Sequence, residues 1–189
     1  MSNKEFILEQ LLEVSHHPVV LGAQGIGPIE QLAEEIMTVL QNQARIFFVG
    51  KEPYKKVTEL LAGEFKSGFA LERPELPIIL IKSEIHINWD EASGNGILAP
   101  EGEESIQPGD LLVFIIHEVT TELMEIITWA RSNKIKSVVL CGQSGPKQIN
   151  PDLLFYAPLS NRSRVKELFI IFGHLVGTVV ESVLFSDGS

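Results

Sequence analysis

Arg45-Ile46-Phe47-Phe48-Val49-Gly50-Lys51-Glu52-Pro53-Tyr54 is the stretch that decides the fold. Its first half is a continuous apolar run closed by a glycine, the pattern of a strand covered on both faces rather than one. The chain then turns at once into a helical period over about residues 54–65. The same grammar returns downstream. Apolar runs at 78–82, 111–116, 137–141 and 154–156 are separated by helical patterns at 121–133 and 163–184. Strands alternating with helices across short links imply right-handed crossovers and a parallel, doubly wound sheet. The expectation is a three-layer α/β/α sandwich on a five-stranded parallel sheet, of the flavodoxin-like kind, with extra helices in front.

Those helices occupy residues 1–44. Ser2 and Glu5 form a capping box ahead of Phe6, Leu8, Leu11, Leu12 and Val14. His16-His17-Pro18 is expected to end this helix, because a residue before proline is pushed out of the helical region. Residues 19–27, with Gly22, Gly25 and Gly27, read as a link. A second helix then starts at Pro28 and carries Ile29, Leu32, Ala33, Ile36, Val39 and Leu40 at helical spacing. Residues 83–108, rich in Gly, Glu and Asn, read as irregular and as too long for an idle loop. Trp129 lies on an apolar stripe with Ile126 and is expected in the core.

The 189 residues are read as one domain, with 44% hydrophobic residues and no apolar run that spans a bilayer. No signal peptide is read at the N-terminus. The single Cys141 excludes an internal disulfide and suits a reducing cytoplasm. A net charge of −10 argues against nucleic acid and anionic membranes as partners.

Parallel sheets bind ligands where strands turn into helices, and a phosphate there needs small residues whose N–H groups converge on its oxygens. Both turns depart from this. After the first strand, Pro53 lacks an N–H, Tyr54 adds bulk and Glu52 adds negative charge. After the third come His117-Glu118-Val119-Thr120-Thr121, with a second unfavourable carboxylate.

Several stretches together resemble the sugar isomerase (SIS) domain, in its phosphoheptose isomerase-like branch. They are residues 45–50; Ala62-Gly63-Glu64-Phe65 with Glu72-Arg73-Pro74; Gln107-Pro108-Gly109-Asp110; and Arg164-Val165-Lys166-Glu167 with Gly173-His174-Leu175 and Glu181. The resemblance runs from about Ile29 to Glu181. It implies a homodimer or homotetramer with the leading and last helices between subunits, and a sugar-phosphate ligand. It also implies a glutamate base and a histidine acid, matched by Glu64 and His174. Positions associated with metal in some members are Leu60 and Lys166 here. The Gly- and Ser-rich turns of the family are replaced at Gly50-Lys51-Glu52-Pro53-Tyr54 and at Ile116-His117-Glu118-Val119-Thr120-Thr121.

The candidate site is therefore Glu64 and His174 for catalysis, if any, with Gly50, Lys51, His117, Glu118, Thr120, Thr121 and Lys166 for ligand. Lys166 is expected to pair with Glu64. A metal at His117 and Glu118 with His86 or Glu84 follows no known spacing, so no metal and no cofactor is expected. The leading reading is a binding, regulatory or scaffold module that has lost isomerisation and acts on a protein partner or an active paralogue. The alternative is an active isomerase of a phosphosugar such as sedoheptulose 7-phosphate. A third reading is an uncharged or cationic ligand in an acidic cleft.

Overall fold

The computed structural model describes residues 2–69, 71–82, 85–89, 96–100, 105–142 and 149–186, with backbone alone at 86, 88–89, 96–97 and 99–100. The apolar runs become β1 (Ile46–Gly50), β2 (Ile78–Ile81), β5 (Leu111–Ile116), β6 (Lys136–Cys141) and β7 (Leu153–Tyr156). They form one five-stranded sheet in the order β2-β1-β5-β6-β7, every pairing parallel. Strand order reverses between β1 and β5, where Val49 pairs with Phe114 and Gly50 with Ile115. That reversal opens a crevice at the strands' carboxyl ends.

Side chains alternate between two cores. Ile46, Phe48, Leu111, Val113 and Ile115 face α2 (Ile26–Gln41), α3 (Lys55–Ser67) and α5 (Arg162–Leu184). Phe47, Val49, Leu112, Phe114 and Ile116 face α4 (Thr121–Ser132). The second face is covered in part by an antiparallel hairpin, β3 (Ile85–Trp89) with β4 (Gly96–Pro100), through buried Ile85 and Leu98. The stretch expected to be irregular thus holds a hairpin that completes the third layer. Trp129 is only partly buried against that core.

The front of the molecule corrects the sequence reading. α1 (Asn3–Val20) begins at the expected capping box but passes through His17-Pro18 without ending. A π-helical turn, Leu21–Gly25, joins it to α2, so residues 19–27 are helical and not a link. The wider turn accommodates a register that Pro18, lacking an N–H, disturbs. α5 also departs from expectation, since by length and composition it is apolar enough to cross a membrane. Here Leu168, Phe169, Phe172, Val176 and Val180 are instead buried in the core.

α5 approaches α3 closely because a β-carbon at Gly173 would overlap Leu61, and one at Gly177 would overlap Phe69. Beside this contact Glu181 is buried and accepts from Phe69 N at 2.8 Å and Arg73 Nε at 2.9 Å. These bonds fasten the chain after α3 to the last helix.

Candidate ligand site at the strand reversal

Two cavities lie at the carboxyl ends of the strands, one at the β1/β5 reversal and one beyond β6 and β7, and His117, just past β5, lines both. The one on the α4 side has a volume of about 520 Å³. Its walls are Val49, Phe114 and Ile116 from the strand ends, Leu123 and Ile126 from α4, and Ile85 from the hairpin. Charge stands in the same lining: Lys51, Lys55 and Lys82 against Glu52, Glu118 and Glu122. The other cavity, about 770 Å³, lies between Gln24, Ser160 and Arg162.

Tyr54, at the turn between β1 and α3, lines neither cavity. It is fully buried, packs edge-on against Phe169 with centroids 5.4 Å apart, and lies so close to Gly142 that a β-carbon there would overlap its hydroxyl. The space between Phe169, His117 and Gly142 is thus filled by the chain itself. Burial raises the Tyr54 phenol above its ordinary pKa; the Arg162 charge offsets part of this and Cys141 adds to it. Arg162 Nη2 lies 3.3 Å from His117 Nε2, and Tyr54 Oη lies 3.4 Å from His117 Nδ1. A guanidinium only donates, so this contact leaves the lone pair on Nε2 and the ring proton on Nδ1, facing the phenol oxygen.

The start of α4 is also occupied. Thr120 Oγ1 accepts from Leu123 N at 3.3 Å, an N-cap. Glu122, in the first turn, holds Lys51 Nζ at 2.9 Å. A resident carboxylate and a resident cap take the place where an anion meets a helix N-terminus.

Glu64 and His174 meet, with Glu64 Oε2 2.9 Å from His174 Nε2. They do so on the partly exposed face where α3 crosses α5, and neither lines the two cavities. The edge of Phe69 backs the imidazole, with centroids 5.7 Å apart. Lys166 makes no ion pair with Glu64 among the described residues; His174 has that carboxylate instead. Gly50, Lys51, His117, Glu118 and Thr120 do line one cavity, and Thr121 is the first residue of α4. Among the described residues no group of three or more His, Cys, Asp or Glu is placed to hold a metal. Glu84, the side chains of His86 and Trp89, and the turn after Gly142 lie outside the described residues.

Sequence reasoning missed Lys82, Ile85, Phe114 and Glu122 as lining, and Arg162 as the partner of His117. Only Glu122 carried a signal, an acid in the first turn of a helix that leaves the reversal point.

A five-stranded parallel sheet with this order, flanked by helices and entered through leading helices, is a flavodoxin-like, doubly wound α/β protein. The comparisons agree, although no family model matches the chain. The chain is 26% identical over 167 residues to a phosphoheptose isomerase of Thermodesulfovibrio yellowstonii, covering 86% of this chain and 83% of that one. A phosphoheptose isomerase structure from Francisella tularensis superposes with a TM-score of 0.72 at 17% identity, covering 96% of this chain and all (100%) of the other. The sugar isomerase domain of an RpiR transcription factor from Sphaerobacter thermophilus shares the fold, with a TM-score of 0.60 and 14% identity over 94% of this chain and 89% of that one. The chain is thus similar along most of its length to phosphoheptose isomerases, at low identity, and shares the fold of their solved structures.

Proposed function

We propose that this protein is a catalytically silent SIS-domain module that binds and regulates rather than isomerises. The observation that carries the reading is the Lys51–Glu122 pair at 2.9 Å. It joins the two turns that would share a phosphate and places a carboxylate at the start of α4. The buried bulk of Tyr54 in the turn after β1 and Thr120 spent on a cap support it. Proton transfer between adjacent sugar carbons needs a base and an acid held against a positioned substrate. Glu64 and His174 bond each other instead, outside both cavities.

The proposal includes self-association through residues 1–44, in the cytoplasm, with 45–185 as the α/β core of one domain. Phe6, Ile7, Leu8, Leu11 and Leu12 are each more than half exposed along α1. A continuous apolar row of that kind favours a protein contact. The alternative, an active phosphosugar isomerase with Glu64 as base and His174 as acid, is favoured by the short contact between those two side chains.

Thermal unfolding with and without millimolar sedoheptulose 7-phosphate separates the readings, since a ligand of the folded state raises the midpoint. An unchanged midpoint and no isomerase turnover are expected. A raised midpoint that Glu64→Gln or His174→Asn abolishes, together with turnover, would overturn the silent reading.

A further inference from the structure

We propose that the cavity on the α4 face binds a small zwitterion with an apolar body, the chemistry of an apolar α-amino acid. This rests on the reading that the phosphosugar grip is gone, and it names what the site takes instead. Three features of the lining converge on that ligand.

The first is the wall. Val49, Phe114, Ile116, Leu123 and Ile126 present aliphatic and aromatic surface without a hydrogen-bonding group. A sugar's hydroxyls would go unmatched against it, whereas a hydrocarbon side chain gains by leaving water. The second is size. About 520 Å³ lies within the range of small-molecule sites and suits one compact ligand.

The third is the balance of charge. Lys51 and Glu122 neutralise each other, which leaves Lys55 and Lys82 beside Glu52 and Glu118. None of these four forms an ion pair among the described residues. A phosphate dianion would meet two carboxylates as well as two ammonium groups. A carboxylate and an ammonium on neighbouring atoms match both signs at once.

Calorimetric titration of the intact chain with L-phenylalanine, 3-phenylpropionate and phenethylamine tests this, because the last two each delete one head charge. Glu52, Lys82 and Glu118 are exposed and Lys55 is half-buried, so each contact is worth a modest factor. L-Phenylalanine should bind about two- to fivefold more tightly than either analogue. Exposed Glu118→Lys should reverse the order in favour of 3-phenylpropionate and leave the fold intact. Val49→Thr, which puts a hydroxyl on the wall at nearly constant volume, should weaken all three.

Equal binding of an analogue and the amino acid would overturn the head-group assignment. Binding by none of the three would overturn the site. A parallel titration with sedoheptulose 7-phosphate keeps the two failures apart. If it is also silent, only this inference falls; if it binds, the loss of the phosphosugar grip falls with it.

Discussion

Replacing Tyr54 tests whether a side chain from the β1–α3 turn fills the crevice. Its ring is fully buried between Phe169 and His117, with centroids 5.4 and 6.0 Å away. Tyr54→Ala should therefore cost what other buried aromatic truncations cost, about 3–5 kcal/mol. With a urea slope of about 1–3 kcal/mol/M, the midpoint followed by circular dichroism should fall by roughly 1 M or more. Tyr54→Phe removes only a hydroxyl at 3.4 Å from His117 Nδ1, the long end of a hydrogen bond, and should cost about 0.5–1.5 kcal/mol. Gly142→Ala adds a β-carbon that overlaps the same hydroxyl and ring, so it should destabilise by about 1–3 kcal/mol. In the Tyr54→Ala background that cost should largely vanish, giving a coupling of about 1 kcal/mol or more. The phenol adds a pH signature. Its folded pKa is raised by burial, so its contribution is complete below the unfolded value of about 10 and is lost as pH climbs towards the folded value. Wild type should lose stability above about pH 10 relative to Tyr54→Phe. A Tyr54→Ala cost under about 1 kcal/mol, or simple additivity with Gly142→Ala, would refute a filled crevice.

Glu181→Ala should cost about 3–5 kcal/mol in thermal or urea unfolding, because Arg73 would stay buried without its carboxylate. Exchanging both partners for apolar residues, Arg73→Met with Glu181→Leu, should cost clearly less, so equal losses would show that the charge pair is not the cause. Thr120→Ala should cost about 1 kcal/mol through the lost cap on Leu123 N, while Thr120→Ser should be close to wild type by the same denaturant midpoint. Glu122→Gln removes the carboxylate at the start of α4 and frees Lys51. Inorganic phosphate should then raise the melting midpoint where it does not in wild type, and an unchanged midpoint would move the obstacle from charge to the volume of Tyr54.

The sheet was legible because its strands are buried on both faces and so carry unbroken apolar runs; Leu111–Ile116 was read to the residue. The front helices were not. The preference of a pre-proline residue against helix is a local tendency, and it misplaced a boundary at His17. In the fold His17 is buried 3.8 Å from the Glu167 carboxylate, and Arg164 ties α5 to Gln10 and Glu13 of α1. Those partners lie about one hundred and fifty residues away, and no local pattern reports them. The hairpin was hidden for a related reason, since its strands are short and, among the described residues, reach the core through Ile85 and Leu98 with Ile87 packed in part beside them. In the site, Gly50, Lys51, His117, Glu118 and Thr120 were placed by the rule that ligands sit at carboxyl ends of parallel strands. The rule is silent about Lys82 and Phe114, which reach the same cavity from β2's end and from within β5. It also overpredicted the Lys166–Glu64 pair, because a sequence shows which charges oppose but not which neighbour is nearer.

The groups that could have served a sugar phosphate are occupied internally, but with unequal firmness. Lys51 and Glu122 are 49% and 41% exposed, so their pair is worth only about 0–1 kcal/mol and would yield to a tightly held anion. Glu64 and His174 are likewise partly exposed and are free to exchange partners at little cost. The cap at Thr120 is a matter of about 1 kcal/mol. Tyr54 is different in kind, since moving its ring would open a cavity in a buried aromatic cluster beside Phe169. Weak charge pairs are therefore open to competition by a ligand, whereas the tyrosine is held in place by its packing. It fills the space between Phe169, His117 and Gly142, while the α4-side hollow, with its apolar wall and balanced charge, is open.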